Sequence, residues 1–194
     1  MRTDVITVSS RGYQMEKALQ QAEKVAAYKE LPGKDALHLR LLTEEMMGLM
    51  RSVTGAKEGK FWIEDEDGVF QLHLQVETSM DAKKREKLIA ASSSGQNEAS
   101  RGLMGRLRAF FEPEEDLPLF FSPIVADDAD GVMDVNWSML AYRELLERYL
   151  AEQRAGAAEA WDELEKSVVS HVADNVKVSI RGRRAEMTIV KKLA

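Results

Sequence analysis

The sequence contains no cysteine, only three histidines and no long apolar run, and each absence excludes a class of site or protein. Without cysteine there is no disulfide, no thiolate zinc site and no cysteine nucleophile. The histidines His38, His73 and His171 are widely spaced, which argues against a histidine cage, so we predict no metal site. The longest apolar runs, such as 117–121, are far shorter than the roughly 20 residues of a membrane-spanning helix.

The N-terminal residues and the net charge indicate where the protein is located and what kind of partner it binds. Residues 1–10 have no apolar core of a signal peptide, which predicts a cytoplasmic protein. The 27 basic and 33 acidic residues give a net charge of −6, which argues against nucleic acid as a partner. With 44% hydrophobic and 31% charged residues, the composition is that of neither a disordered chain nor a membrane protein.

Residue periodicity predicts a strand and two helices at the start of the chain. The β-branched stretch 4–9 favours a strand, and apolar residues at helical spacing over 15–26 predict a helix that ends before Pro32. A second helix is predicted from Asp35, as its N-cap, to Gly55. Its apolar positions, which cover a broad face and indicate deep packing, are Leu37, Leu41, Leu42, Met46, Leu49, Met50 and Val53.

Two hairpins give the clearest local signals. Residues 61–64 and 69–77 flank Asp67-Gly68, a dipeptide that favours a tight turn because both positions accept positive φ. Residues 176–180 and 185–189 alternate around 181–184 and predict a second hairpin. Between the hairpins we predict helices over 81–91, 103–111, 137–153 and 157–173, a polar loop over 92–97, and an irregular segment over 112–134.

This order of elements predicts a single α+β domain over residues 1–194. We expect a two-layer sandwich of a mixed, largely antiparallel sheet with helices on one face. The stretch 112–156 is expected to be a helical insertion. Its apolar patch 117–124 requires burial, either against the body of the domain or against a partner.

Residues 39–50 of the second predicted helix resemble a nucleotide-binding motif. They read Leu-Arg-Leu-Leu-Thr-Glu-Glu-Met-Met-Gly-Leu-Met, which is similar to the N box of the histidine-kinase-like ATPase superfamily. The order of elements resembles in particular the small anti-sigma-factor kinases of bacteria. In that family a glutamate orients or deprotonates the attacking hydroxyl or water, and an asparagine one turn later binds Mg²⁺. The resemblance implies that Glu44 is catalytic, while Gly48 stands at the asparagine position and offers no ligand for Mg²⁺.

Two further segments resemble the parts of the family's fold that bind ATP or ADP. The strand that ends at Glu77 is similar to the strand preceding the D-x-G-x-G motif, whose aspartate accepts a hydrogen bond from the adenine amino group. Residues 92–105 are similar to the lid and glycine turn that cradle phosphates at a helix N-terminus. The resemblance therefore implies nucleotide contacts at Glu77, Ser79, Arg101, Gly102 and Gly105.

Three of these residues also have an ordinary structural interpretation. Glu44 fits a solvated helix carboxylate, Glu77 the polar end of a strand, and Arg101 a surface arginine. Two functions therefore stay open. The first is an ATP-binding regulatory protein of the anti-sigma type with impaired catalysis, which if active would be a serine/threonine protein kinase or an ATPase. The alternative is a non-catalytic protein-interaction module that has lost nucleotide binding. We expect a protein partner for either function, and the resemblance also implies a homodimer.

Overall fold

The computed structural model describes residues 1–9, 13–50, 58–77, 124–127, 133–154, 156–165, 167–181 and 184–193. These residues form seven strands and five helices. The strands are β1 (Ile6–Ser9), β2 (Glu58–Glu66), β3 (Val69–Glu77), β4 (Ile124–Asp127), β5 (Met133–Ser138), β6 (Asn175–Arg181) and β7 (Arg184–Lys192). The helices are α1 (Tyr13–Tyr28), α2 (Gly33–Leu49), α3 (Met139–Ala151), α4 (Ala157–Glu165) and α5 (Val168–Val172). The elements predicted over 81–91, 92–97 and 103–111 lie outside the described residues.

The strands form one sheet in the order β1-β2-β3-β7-β6-β5-β4. Two meanders, β1–β3 and β4–β7, meet at the centre, where β3 pairs with β7. In that pairing Leu72 lies opposite Ile189 and Leu74 opposite Met187. The predicted α+β sandwich is confirmed, and every strand pairing within the described residues is antiparallel.

The β2–β3 hairpin has the turn that its sequence predicts. Asp67 and Gly68 have φ angles of 50° and 81°, and a tight two-residue turn of this kind requires positive φ at both central positions. Glu66 and Val69 pair across the turn. The predicted alternation along β3 is also confirmed, since its buried core residues are Phe70, Leu72, Leu74 and Val76. The second predicted hairpin is confirmed as β6–β7.

A single apolar core lies between the helices and one face of the sheet. Helix α1 faces the core with small side chains, which allows it to approach α2 and β1 closely. Burying one Leu, Ile, Phe or Met side chain contributes about 1.5–3 kcal/mol. The largest fully buried side chains are Phe61, Phe70, Leu39, Leu42, Met46, Met47, Met50, Ile63 and Leu72. Helix α2 with its C-cap residue Met50 and the β2–β3 hairpin supply all of them, so their packing dominates the core.

Helix α2 starts earlier than predicted. Its N-cap residue is Pro32, so the prediction of Asp35 as the cap is wrong. Asp35 instead lies in the first turn, where a carboxylate interacts favourably with the positive end of the helix dipole. The predicted end of this helix, at Gly55, lies outside the described residues.

The buried face of α2 also differs from the predicted one. The prediction that Leu37 lies in the core is wrong, because its side chain is 62% exposed. Leu39, Thr43 and Met47 are buried instead. The Thr43 hydroxyl donates a hydrogen bond of 2.8 Å to the Leu39 carbonyl oxygen. This bond satisfies the hydroxyl within the helix and so removes most of the cost of burying it.

The prediction of an irregular segment over 112–134 is wrong at 124–127 and 133–134, because these residues belong to β4 and β5. Trp137, predicted to begin a helix, lies in β5 opposite Val178 of β6, and α3 begins only at Met139. Pairing with β6, a strand about forty residues further along the chain, stabilises β5, and local periodicity cannot reveal such a partner. The stretch 112–156 thus contributes two strands to the main sheet.

The helix predicted over 157–173 is interrupted. Helix α4 ends at Glu165 and α5 begins at Val168. Between them the Ser167 hydroxyl accepts the backbone N–H of Ser170 at 3.4 Å, and Ser170 donates its own hydroxyl to the Leu164 carbonyl. Serine side chains that bond to nearby backbone groups in this way compete with helical hydrogen bonds and end the helix.

The helices of the described ranges are amphipathic rather than apolar throughout. Helices α1 and α2 are the longest of them, and both carry charged residues between their apolar positions. None of the helices described is long and apolar enough to cross a lipid bilayer.

Candidate functional site

The C-terminal end of α2 packs against the open end of the β2–β3 hairpin. Gly59 lies at this contact: a Cβ atom built on it would be 3.0 Å from Met50 Sδ, 3.0 Å from Val76 Cγ1 and 3.1 Å from the Gln75 carbonyl oxygen. Glycine is the residue that fits so close an approach without displacing a neighbour. The helix with the N-box-like sequence therefore ends beside the residue that precedes Glu77.

Glu44 lies on the exposed side of α2, while Thr43, Met46 and Met47 around it are buried. The buried neighbours fix the helix on the sheet, so the carboxylate projects from a rigid element. It forms no ion pair with any residue in the described ranges. This exposed position suits a carboxylate that acts on a bound molecule, and it equally suits a solvated one.

Gly48 lies one turn after Glu44 and is half-buried. Apart from the backbone of the helix itself and the two chain neighbours, no atom of the described residues lies within 4 Å of the position that its Cβ would occupy. No other described residue therefore fills the space for the Mg²⁺-binding side chain of the N box. Among the residues described, no group of three or more histidine, aspartate or glutamate side chains could hold a metal ion. Family-type Mg²⁺ binding does not fit this helix, since Gly48 stands at the position of the metal-binding side chain and offers no ligand.

Glu77 is the exposed last residue of β3, opposite Arg184 of β7. Its position at the end of β3 places it next to Val76, which packs against Gly59 as Met50 at the end of α2 does. Among the predicted site residues, the structure thus brings the strand end with Glu77 to the helix that carries Glu44. The other four, Ser79, Arg101, Gly102 and Gly105, lie outside the described residues and stay predictions.

A polar cluster on the opposite face of the sheet escaped the sequence reasoning. Nδ1 of His73 lies 3.1 Å from Glu186 Oε1 and 3.2 Å from Thr188 Oγ1. The Trp62 indole N–H donates to Glu64 at 3.0 Å, and the Glu64 carboxylate lies 3.7 Å from His73 Nε2. The hairpin register places Trp62 opposite His73. That register follows from the two-residue turn, so the sequence did carry a signal for part of this cluster.

A buried ion pair joins α1 to the hairpin turn. Lys29 Nζ lies 2.5 Å from the carboxylate of Asp65, whose side chain is 4% exposed. Burial by itself raises the pKa of Asp65, but the hydrogen bond and charge of Lys29, together with the Gly68 N–H at 3.2 Å, outweigh it and hold that pKa below its usual range. The ionised carboxylate therefore stabilises the turn next to α1.

No model of a known protein family matches the chain, and no curated protein is significantly similar to it.

Proposed function

We propose that this chain is a regulatory module of the histidine-kinase-like ATPase type that binds an adenine nucleotide and has impaired phosphoryl transfer. The observation that carries the proposal is that Met50 and Val76 both pack closely against Gly59. It sets the helix with the N-box-like sequence beside the end of the strand with Glu77. Glu44 and Glu77 are both exposed, so both carboxylates are accessible to a nucleotide that binds across the end of the helix and the end of the strand.

The two carboxylates have different roles in this proposal. Glu77 accepts a hydrogen bond from the exocyclic amino group of adenine, which selects adenine over guanine, since guanine presents a carbonyl oxygen at that position. Glu44, on the helix, faces the phosphate end and orients a hydroxyl or water there. Gly48 supplies no oxygen for a metal ion, so transfer of the phosphoryl group lacks charge stabilisation that the family obtains from Mg²⁺.

Thermal unfolding with ATP, ADP and GTP tests the proposal. A ligand at about 100 times its dissociation constant adds about 2.7 kcal/mol to the stability of the folded state, which raises the Tm of a domain of this size by about 5–10 °C. We expect ADP and ATP to raise the Tm and GTP to leave it unchanged. Equal shifts with ATP and GTP would show that Glu77 does not read the base.

Matched variants locate the site. Glu77→Ala should abolish the ADP shift, whereas Glu66→Ala, an exposed glutamate at the other end of the hairpin, should keep it. Glu44→Gln should leave ADP binding intact and remove any ATP hydrolysis, with the adjacent Glu45→Gln as its control. An ADP shift that survives Glu77→Ala, or no shift with any nucleotide, contradicts the proposal.

A second candidate function is the non-catalytic interaction module, and one observation favours it. Leu37 is 62% exposed and borders a groove between α1 and α2 that Ala26, Leu31 and Ala36 also line. Leu37 is the exposed member of this apolar lining, and an exposed apolar side chain at the rim of an apolar groove offers a contact for another protein. If the chain is such an interaction module, no nucleotide shifts its Tm. Leu37→Asp should then weaken binding of the protein partner without lowering the Tm.

A further inference from the structure

We propose that the outward face of α2 is a self-association surface, on which α2 of a second copy of this chain packs antiparallel to form a two-fold symmetric dimer. The surface consists of Lys34, Leu37, Leu41 and Glu44. Side chains that alternate between spacings of three and four residues form one stripe along a helix. The inference goes beyond the proposed function and requires no bound nucleotide.

The stripe lies on the side of α2 that points away from the core. The side chains that α2 contributes to the core lie on the opposite side of the helix. In the stripe, Lys34 and Glu44 are exposed and Leu41 is half-buried, while Leu37 is 62% exposed. The two leucines therefore leave apolar area in water that a second helix can cover, and removing this area from water favours association.

The charges at the two ends of the stripe make it complementary to itself. Lys34 and Glu44 are separated by ten residues, which is about 15 Å along the helix axis. Neither forms an ion pair with any residue in the described ranges. An antiparallel second helix places Lys34 of each copy opposite Glu44 of the other, and Leu37 of each copy opposite Leu41 of the other. A parallel arrangement would instead bring like charges together.

The charge nearest to the two-fold axis is already neutralised. Arg40 lies beside the stripe, close to the middle of α2, so the two arginines of a dimer approach each other. Each of them forms an ion pair with Glu23 of its own α1. This pair offsets the repulsion between the arginines and leaves the contacts of the stripe to determine the orientation of the two helices.

The size of the surface predicts a weak dimer. A contact along about three turns of one helix per copy is small compared with the roughly 1,200–2,000 Å² that stable interfaces bury. We therefore expect monomer and dimer to exchange and the dimer to dissociate on dilution. The contact covers Glu44, so on the proposed function dimerisation and the use of Glu44 at a nucleotide exclude each other.

Sedimentation equilibrium of the full chain without nucleotide, over a wide range of concentrations, tests the dimer. Lys34→Glu and Glu44→Lys should each weaken association by about tenfold or more, since each replaces both ion pairs of the dimer by like charges. An equimolar mixture of the two variants should associate as the parent chain does, because the mixed dimer regains two pairs of opposite charge. Lys24→Glu is the control: it changes the net charge equally at an exposed position of α1 outside the stripe and should not weaken association.

Disulfide cross-linking tests the orientation, because the chain contains no cysteine of its own. Leu37→Cys mixed with Leu41→Cys should cross-link faster than either variant does alone. Faster cross-linking of each variant with itself would overturn the antiparallel arrangement. A dimer that neither charge reversal weakens would place the interface elsewhere and overturn the proposal. A chain that stays monomeric at the highest concentration would also overturn it, and would leave a different protein as the occupant of the surface around Leu37.

Discussion

The imidazole of His73 lies flat on the indole of Trp62, with the ring centroids 4.7 Å apart and the ring planes within 1° of parallel. The two residues face each other across the β2–β3 hairpin, on the sheet face opposite the apolar core. Trp62 and His73 are 8% and 9% exposed. Glu64 and Glu186 lie on either side of the imidazole. Together with the stack, they hold the side chain of His73 in place on the polar face of the hairpin.

Removing the imidazole should destabilise the protein and alter the fluorescence of Trp62. His73→Ala loses the stacked pair and leaves the Glu186 carboxylate without its partner, which we expect to cost about 1–3 kcal/mol. Urea unfolding, followed by tryptophan emission in a Trp137→Phe, Trp161→Phe background, measures both effects. His73→Phe should recover part of the loss, because it restores stacking without the hydrogen bond. His171→Ala, at an exposed helix position, should change stability by less than about 0.5 kcal/mol.

The Asp65–Lys29 pair should make stability depend on acid. The pKa of Asp65 is lower in the folded state than its ordinary value of about 3.9. The stabilising contribution is therefore complete above that value and is lost as the pH falls through the lower folded pKa. Asp65→Asn should be less stable than the parent chain by about 1–3 kcal/mol at pH 7. The difference should shrink below about pH 4.

Urea unfolding at several pH values between 2.5 and 7, roughly one unit apart, measures this difference across the titration range of an aspartate. Asp67→Asn is the matched control, because Asp67 is exposed and asparagine tolerates its positive φ. A difference between Asp65→Asn and the parent chain that stays constant over the whole pH range contradicts the pairing with Lys29.

The open space at Gly48 predicts that a side chain can be added to α2 without strain. Gly48→Ala should stabilise the protein by about 0.5–1 kcal/mol, because alanine loses less backbone entropy in a helix. Gly48→Asn adds an amide oxygen at the position of the family's metal ligand. On the proposed function, Mg²⁺ should then increase the ADP-induced shift in Tm for Gly48→Asn but not for Gly48→Ala. A loss of stability in both variants would show that the space is not open.

The close contact at Gly59 predicts the opposite response. Gly59→Ala places a Cβ against Met50 and Val76, and overpacking of this kind costs about 1–3 kcal/mol. Val76→Ala removes the methyl groups that clash, so the double variant should be more stable than the sum of the two single changes predicts. A double-mutant cycle by urea unfolding measures this coupling. Additive effects would mean that the strand relaxes elsewhere.

The hairpins show how far local sequence determines this protein. Asp67-Gly68 sets the turn, and the turn sets the register that pairs Trp62 with His73. Strict alternation along β3 then determines which residues enter the core. The same local rules predicted helix α1 and the β6–β7 hairpin, because propensity, periodicity and turn residues agree in these segments.

The candidate site was only partly accessible to sequence reasoning. The motif spacing singled out Glu44 and Glu77, whereas the approach of α2 to β3 depends on Gly59, which has no signal of its own in the sequence. The hydrogen bond from the Gln21 amide to the Asp4 carbonyl oxygen likewise joins two residues that are 17 positions apart. Contacts of this kind arise from packing and not from any local pattern.

The sequence by itself determined the turns, the alternation of the strands and the exclusion of thiol chemistry, because each depends on neighbouring residues or on composition. Tertiary structure decided that 133–138 is a strand, that Leu37 is exposed, and that Lys29 pairs with a buried Asp65. The physical reason is the distance along the chain between partners. Only the folded chain brings the hydrogen bonds of a remote strand to 133–138 and the positive charge of Lys29 to Asp65. The folded chain also determines which side chains a neighbouring helix covers.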